Sequence, residues 1–500
     1  IEGQAGLENY SSLFFYSLTI DNILNIIVLL ILAGVAISLT VGDNGLFRRA
    51  QNAKEETEKS EIIENIRLDI AAVEIENMGE ISKNQYIDIL EKYGYIENDG
   101  SILRTKKGNY SIDISDIYPL DINIIDVTPV YATLYDNGYL VFNTNESIYS
   151  GVEESNILVQ TEDISNKSFE STSDVPWNDY TSIIKRVIFE VEIAPTSTAR
   201  WFSGCSNLEE IENIDNLHTE NVTSMQIMFN SCSSLTELDL SSFNTRNVSN
   251  MMGMFQDCTN LTNLDLTNFD TKKVDTMQAM FQNCNKLSEI DIKSFDTSNV
   301  TTMLGMFNGC NSITNLDLSN FNTENVTNML AMFQNCTNLR NLKINNFDTK
   351  NVTSMGYMFN ECSSLVSLDL SSFDTNNVTR IERMFHNCSN LIELDLSNFV
   401  LNQAITLESM FGECTNLKKL DLSNLGTRNA ESFVSMFSGC SNLESLDLRG
   451  FSTDTAKDMS YMFQNCTNLK EIIVNTNWNI DNALQTNMFF GCKINSFTVK

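Results

Sequence analysis

The stretch Cys232–Gln256, CSSLTELDLSSFNTRNVSNMMGMFQ, contains every feature of a unit that recurs from Trp201 to Lys500. A Met-Phe pair, here Met254-Phe255, precedes almost every cysteine, and successive cysteines lie 26 residues apart except for one interval of 27. All cysteines of the chain fall on this period: Cys205, Cys232, Cys258, Cys284, Cys310, Cys336, Cys362, Cys388, Cys414, Cys440, Cys466 and Cys492. Self-similarity at such a period is the signature of a stacked array, and the sequence therefore predicts a solenoid of about twelve coils.

Within one unit, the spacing of the apolar residues changes partway along. Leu238 and Leu240 alternate with polar residues, as in a strand. The turn-forming run Asn244–Asn247 then predicts a reversal of the chain. Apolar residues next recur at spacings of three, three, one and three, which favours one face of a short helix: Val248, Met251, Met254, Phe255 and Cys258. The predicted unit is therefore strand, turn, short helix, turn.

A single unit of this kind cannot bury its own apolar side chains, so it must stack on the next unit. Coils joined as parallel strands lie about 4.8 Å apart. We therefore predict an α/β leucine-rich-repeat solenoid shaped as a horseshoe over residues 205–500, with strands on the concave side and helical turns outside. Since an open end would expose the apolar interior, residues 127–204 are interpreted as a β-rich N-terminal cap and the irregular last repeat as a C-terminal cap.

The repeats resemble a known family. The run CSSLTELDLSSFNTRNVSNMMGMF is similar to the BspA-like leucine-rich-repeat surface proteins of bacteria, whose repeats read LDLSxFDTxNVTxMxxMFxxC. The Asp-Thr pair begins at Asp270, Asp296, Asp348 and Asp374, and the Asn-Val-Thr triplet at Asn221, Asn299, Asn325, Asn351 and Asn377. We interpret the Asn-x-Thr triplets as turn and cap residues rather than as glycan sites. The resemblance implies a secreted or cell-surface protein that binds other proteins or cells.

The N-terminal region carries an apolar stretch. Asn22–Gly42 is 21 residues long and has no charge, which matches the roughly 20 residues that span a bilayer. We predict a transmembrane segment within residues 1–46, with a cleaved signal peptide as the alternative, then a stalk helix over 47–78 and a small α/β module over 79–126. The stretch also resembles the pilin-like N-terminal helix of Gram-positive surface proteins, although Tyr16-Ser17 stands near the place of the processing glycine. The chain opens with Ile1, which indicates a fragment or a processed form.

Composition excludes several classes of function. The net charge is −33, from 65 acidic and 32 basic residues, so the chain repels nucleic acid and anionic membrane surfaces. The two histidines, His218 and His386, stand far apart in the sequence. A Gly-rich phosphate loop, a C-x-x-C pair and an H-E-x-x-H motif are all absent from the sequence. We therefore expect a protein without enzymatic activity and without a cofactor.

The cysteine column allows three interpretations. Neighbouring coils would bring its members within the Cα distance that a disulfide accepts. Stacked side chains point the same way, however, and buried free thiols are common as small apolar groups. We expect a ladder of reduced thiols, with disulfides and a bound metal as the alternatives.

A column of aspartates is the candidate binding site. Between the two strand leucines, eight repeats carry an acid, here called the Asp column: Asp239, Asp265, Asp291, Asp317, Asp369, Asp395, Asp421 and Asp447. Lys343 and Ile473 interrupt it. These side chains must point away from the core, and we predict that they line the concave surface. The column suits a solvated acidic face, a basic protein or peptide partner or bridging calcium ions.

These features together predict a non-enzymatic adhesin of the bacterial cell surface. We expect it to be anchored in the membrane, with extracellular repeats that bind host or bacterial surface and matrix proteins. The alternative is a structural role, as a pilin-like or surface-layer subunit in which the solenoid serves as a spacer.

Overall fold

The computed structural model describes residues 46–76, 81–82, 89–90, 92–97, 102–106, 110–113, 117, 124–125, 130–144, 156–161, 164, 167, 169, 171–422 and 424–500. The predicted transmembrane stretch Asn22–Gly42 lies outside these residues. Within them, no helix combines the length and the apolarity that crossing a bilayer requires. The chain divides into two compact units, Ile1–Val127 and Thr128–Lys500.

The first unit combines one long helix with two small sheets. Its elements are α1 (Leu46–Glu76), the parallel pair β1 (Ile81–Ser82) and β5 (Ile124–Ile125), and the antiparallel sheet of β2 (Gly94–Glu97), β3 (Ile102–Thr105) and β4 (Ser111–Asp113). Ile66 and Ile70 of α1 are fully buried in one cluster with Leu103 and Ile112 of the sheet. Burial of this apolar face stabilises the second half of α1.

The second unit begins with a five-stranded sheet in the order β10-β9-β7-β6-β8. Its strands are β6 (Tyr131–Tyr135), β7 (Tyr139–Asn143), β8 (Ile157–Gln160), β9 (Arg186–Phe189) and β10 (Glu210–Glu212). β6 pairs antiparallel with β7 and β8, whereas β9 pairs parallel with both β7 and β10. Because β10 follows Cys205 in the first coil, the sheet runs directly into the stack of coils. The indole of Trp177 donates to the carbonyl oxygen of Trp201 at 2.7 Å in the buried core beside this sheet.

In several coils the leucine-rich part forms the strand that its alternation predicts, and this strand pairs with that of the next coil. The pairs are β11 (Asn315–Asp317) with β12 (Asn341–Lys343), β13 (Glu393–Asp395) with β14 (Lys419–Asp421), and β15 (Ser445–Asp447) with β16 (Glu471–Val474) and then β17 (Thr498–Val499). All these pairs are parallel, and equivalent residues face each other, as Leu394 faces Leu420. Each strand residue therefore pairs with the equivalent residue one repeat later in the sequence.

The Met-Phe segment of each coil is not the short helix that its spacing predicts. The N–H group of Gly253 donates to the carbonyl oxygen of Gln278 in the next coil at 2.8 Å, and that of Phe255 donates to Met280 at 3.0 Å. An α-helix would instead direct every N–H along its own axis. Residues between these donors bond three positions back within their own coil, which brings every third side chain inward and imitates helical spacing.

Backbone geometry excludes a helix in this segment. Two residues in each of the twelve coils have positive φ and stand four positions apart, as Gly253 (58°) and Asp257 (59°) do. Left-handed residues at that interval cannot belong to a right-handed helix. The coils, where the structure describes them, therefore form a β-solenoid, and the prediction of an α/β class with helical turns outside is wrong for this unit.

The interior of the solenoid consists of stacked columns of identical side chains. The phenylalanines before the cysteines, from Phe229 to Phe489, lie with neighbouring ring centres 5.4–5.9 Å apart and nearly parallel planes. Leu240 and its counterparts are buried, and Leu238 packs against the same core. The units thus share one continuous apolar core, as the stacking argument requires.

Candidate functional site on the strand face

The Asp column lies on the surface that the strand segments expose, here called the strand face. In each coil this surface consists of the two residues after the first leucine and the residue between the last two, for example Thr236, Glu237 and Asp239. Six members of the Asp column are exposed, and Asp317 and Asp447 are half-exposed. The structure therefore places all eight predicted residues in one row at the surface.

Each aspartate for which a bond is resolved also closes a local turn. One carboxylate oxygen accepts the backbone N–H of the residue two positions later, over 2.9–3.2 Å. This geometry is an Asx-turn, which ends the strand and starts the next bend. It occurs at Asp239, Asp265, Asp291, Asp317, Asp369, Asp395 and Asp447. The column therefore has a structural role that the sequence interpretation did not include.

The turn bonds hold several of these carboxylates in their charged form. The N–H of Ser241 lowers the pKa of Asp239, and the N–H of Thr267 does the same for Asp265. The hydroxyl of Ser371 lowers the pKa of Asp369. A hydrogen bond to an ionised carboxylate favours that form. These side chains thus carry a full negative charge at neutral pH.

Neighbouring members of the column differ in how their charge is balanced. Asp317 forms an ion pair of 2.7 Å with Lys343, the residue that interrupts the column, and this lysine lowers its pKa. Asp395 instead lies directly opposite Asp421 in the parallel register of β13 and β14. Like charges in such positions repel each other. Asp265 likewise lies opposite Asp291. The strand face is most acidic over the coils that carry Asp239, Asp265 and Asp291, where Glu237 and Glu289 add to the negative charge.

Two further polar columns join the coils, and the sequence interpretation missed their role. The threonine hydroxyls after the Phe-Asp or Phe-Asn pair are buried and donate to a carbonyl oxygen 25 residues later. Several also accept a backbone N–H from the next coil, as Thr349 accepts from Asp374 at 2.8 Å. Four asparagines that open Asn-Val-Thr triplets and Asn247, which opens Asn-Val-Ser, donate to carbonyl oxygens of the preceding coil at 2.7–2.8 Å: Asn247, Asn299, Asn325, Asn351 and Asn377. They bond between coils rather than serving as caps.

The cysteine column consists of free thiols. Eleven of the twelve are buried, and Cys492 in the last coil is half-buried. Burial raises the pKa of the Cys258 thiol to about 12. Thiols in such surroundings are poor nucleophiles and poor metal ligands.

The histidines lie far from each other. His218 has its Nε2 atom 3.6 Å from a carboxylate oxygen of Glu192, at the first coils. His386 is half-buried, and its burial, together with the charge of Arg383, lowers its pKa. Among the described residues, no group of three or more His, Cys, Asp or Glu side chains could hold a metal ion.

One shallow depression lies at the last coils, beside Asp454 and the segment 476–481. Its lining includes Asn477, Trp478 and Asp481. These side chains do not contain a nucleophile with an adjacent base, which is the arrangement that covalent catalysis needs.

Comparison with solved structures returns leucine-rich-repeat proteins of bacteria. A leucine-rich cell surface protein from Faecalibacterium prausnitzii is 17% identical, with 74% of this chain and 94% of that chain covered and a TM-score of 0.40. A leucine-rich-repeat protein from Bacteroides ovatus is 15% identical, with 72% and 98% covered and a TM-score of 0.31. Another from Eubacterium ventriosum is 15% identical, with 74% and 95% covered and a TM-score of 0.26. Comparison with curated protein sequences gives no match.

A protein-family profile matches the repeats themselves. Its three matches overlap and cover residues 196–317, 305–420 and 392–498. They fall on the 26-residue units that resemble BspA-like leucine-rich repeats, so the repeat array predicted from the sequence is confirmed. Since the matches together span more than half of the 500 residues, the chain belongs to the DUF285 family, which is described as a Mycoplasma protein of unknown function.

Proposed function

We propose that this chain is a non-enzymatic protein of the bacterial cell surface, whose solenoid binds other proteins through the strand face. One observation carries the proposal. The columns that repeat with little change, the buried cysteines and the buried threonines, are engaged in bonds between coils. The exposed positions after the first leucine instead change from coil to coil, for example from Thr262-Asn263 to Lys418-Lys419. A rigid scaffold that presents a varied surface is suited to recognition.

The Asp column supports a role in choosing the partner. Each turn bond occupies one carboxylate oxygen, and the acids at Asp369, Asp395 and Asp421 follow one another along the face. Such a row attracts basic groups and repels acidic ones, so it speeds association with suitable proteins and disfavours others. We propose an adhesin role, with matrix or surface proteins of a host or of neighbouring bacteria as partners. The stretch Asn22–Gly42 would supply the membrane anchor.

A structural role is the second candidate. The threonine, asparagine and cysteine columns all bond one coil to the next. This regularity favours a stiff spacer, such as a pilin-like or surface-layer subunit. In that case the strand face would bind nothing, and the intact chain would form filaments or lattices visible by electron microscopy.

The two candidates can be separated with the full chain on a sensor surface. Purified matrix proteins would be passed over the wild type and over the double variant Asp369→Asn/Asp395→Asn, which keeps the turn acceptors but removes two charges. Asp270→Asn/Asp296→Asn, in the turns that follow Phe269 and Phe295, is the matched control with the same loss of charge. Binding that weakens only in the first variant supports recognition through the strand face. Filaments together with an absence of binding would overturn it in favour of the spacer.

A further inference from the structure

Four consecutive coils carry an unusual set of side chains on the strand face. At the position after the first leucine these coils have Arg340, Val366, Ile392 and Lys418, here called the central stripe. Val366 is 48% exposed and Ile392 is 44% exposed. The N–H of Ile392 donates to the carbonyl oxygen of Val366 at 3.2 Å, and that of Lys418 donates to Ile392 at 2.9 Å. The ladder therefore sets these side chains next to each other, about 4.8 Å apart.

The two cations at the ends of the stripe form no ion pair within the part of the chain that the structure describes. Lys418 acts only at longer range on Glu444 of the next coil, whose pKa it helps to lower. Two other strand-face lysines do form ion pairs: Lys343 pairs with Asp317 at 2.7 Å, and Lys470 pairs with Glu444 at 2.8 Å. In a chain of net charge −33, two such cations on either side of an exposed apolar pair are complementary to an acidic partner.

The exposed apolar part of the central stripe consists of two adjacent side chains, Val366 and Ile392. Isolated apolar side chains are common on protein surfaces and need no explanation. Val366 and Ile392 are instead neighbours in one column, and both lie on a rigid ladder. A preformed apolar surface of this kind loses little conformational freedom when a partner covers it.

The length and spacing of the central stripe match an α-helix better than an extended peptide. Its ends are three coil steps apart, which is about 14 Å. In an extended peptide, the side chains on one side are about 6.6 Å apart, which is longer than one coil spacing. An α-helix presents residues i, i+4, i+7 and i+11 on one face over about 16 Å, with steps close to one coil spacing. A helix that lies along the stripe can therefore place one side chain on each coil.

We propose that the central stripe binds an amphipathic helix of a partner protein, with carboxylates at positions i and i+11 and apolar residues at i+4 and i+7. This inference rests on the proposed protein-binding function and names the chemistry of its partner. Glu393 and the acids Asp369 and Asp395 lie beside the stripe. They disfavour further carboxylates on the helix and favour basic residues on the flank that faces them.

A designed peptide tests the proposal on the full chain. The probe is a synthetic helical peptide with Glu at i and i+11 and Leu at i+4 and i+7, and its dissociation constant is measured by fluorescence anisotropy. Val366→Ser/Ile392→Ser and Arg340→Glu/Lys418→Glu should each weaken binding about tenfold or more. Lys272→Glu, an exposed charge reversal in a turn outside the strand face, should leave the dissociation constant unchanged.

A charge swap completes the test. A peptide with Lys at i and i+11 should bind the wild type weakly and should bind Arg340→Glu/Lys418→Glu about as well as the Glu peptide binds the wild type. If the wild type shows no saturable binding of the Glu peptide up to about 1 mM, the inference is overturned. If the full chain binds matrix proteins and Val366→Ser/Ile392→Ser binds them equally well, the inference fails while the proposed function stands.

Discussion

The thiol of Cys258 donates a hydrogen bond to the carbonyl oxygen of Phe229, which is 3.1 Å away and belongs to the preceding coil. The same bond recurs at 2.7–3.2 Å in every later coil and once before it: Cys232, Cys284, Cys310, Cys336, Cys362, Cys388, Cys414, Cys440, Cys466 and Cys492. The cysteine column thus contributes both an apolar group and a weak donor to the contact between coils.

Alkylation of the native chain should modify one cysteine. Burial raises the pKa of Cys258 and Cys336 to about 12, whereas Cys492 is only half-buried and therefore accessible to the reagent. Since the thiolate is the nucleophile, iodoacetamide at about pH 8 should react at Cys492 and leave the other eleven intact. Mass spectrometry of the intact chain and of its peptides measures this.

Alkylation of the denatured chain provides the control. Without a reductant, guanidinium should make all twelve thiols reactive, because the expected ladder is reduced. A mass that corresponds to fewer alkyl groups, and that rises after reduction, would show disulfides between coils.

Thr349→Val should destabilise the solenoid strongly for an isosteric change. The hydroxyl of Thr349 is fully buried, donates to the carbonyl oxygen of Asp374 at 2.8 Å and accepts the N–H of the same residue at 2.8 Å. Valine would leave two backbone groups without partners, at a cost of about 1–3 kcal/mol each. We expect the free energy of unfolding to fall by about 3 kcal/mol, as measured by denaturant titration followed by circular dichroism.

Thr379→Val is the matched control for that measurement. Thr379 is exposed, and its hydroxyl only donates to the carbonyl oxygen of Thr353 at 3.1 Å. Water can replace this bond, so the loss should stay below about 1 kcal/mol. Equal losses for the two variants would show that the buried threonine column does not hold the coils together.

The periodic core could be predicted from the sequence, whereas the backbone that carries it could not. Leucine spacing and the fixed register of the cysteines determine which side chains stack, and Leu240, Phe255 and Cys258 lie in the core as expected. Turns closed by bonds three residues back imitate the spacing of a helix. The signal against a helix was the residue before each cysteine, which is often Asn, Asp or Gly, the types that tolerate positive φ.

The candidate site could also be predicted only in part from the sequence. The alternation of the strand places Asp239 and its counterparts at the surface. It does not reveal that their carboxylates accept backbone N–H bonds, because the bend after the strand depends on stacking. The central stripe is also hidden in the sequence, since Val366 and Ile392 are typical strand residues and their exposure follows only from the fold.

Acid should destabilise the solenoid through the Asp column. The folded-state pKa values of Asp239, Asp265, Asp369 and Asp395 are lowered relative to about 3.9 in an unfolded chain. The stabilisation from these groups is therefore complete above about pH 5 and is lost as pH falls through the lower folded values. The melting temperature should be constant from about pH 8 to 5 and should fall below about pH 4.

Replacement of these four residues by Asn isolates their contribution. Asparagine keeps the oxygen that accepts the turn bond but does not titrate, so the melting temperature of the variant should fall less steeply in acid. An equally steep fall of the melting temperature with acid in the variant and the wild type would assign acid unfolding to other groups.

The wild type should also melt at the same temperature in millimolar calcium and in chelator. A melting temperature that rises with calcium would instead support bridging of the Asp column by calcium ions.

Two glycines of one coil should respond differently to alanine. Gly305 and Gly309 both have positive φ, 60° and 77°, and an L-residue there costs about 1 kcal/mol. A Cβ on Gly305 would lie 3.8 Å from its nearest neighbour, whereas one on Gly309 would lie 2.3 Å from Oδ1 and 3.3 Å from the backbone Cα of Asn283.

The Gly309→Ala variant must therefore displace the neighbouring coil as well as adopt a strained φ. We expect Gly305→Ala to lose about 1 kcal/mol of unfolding free energy and Gly309→Ala to lose about 2–4 kcal/mol, since overpacking adds about 1–3 kcal/mol. Denaturant titration of the two variants measures the difference. Adding Asn283→Ala to Gly309→Ala removes the side-chain clash and should recover part of the loss, while equal losses in the two single variants would contradict the close contact between these coils.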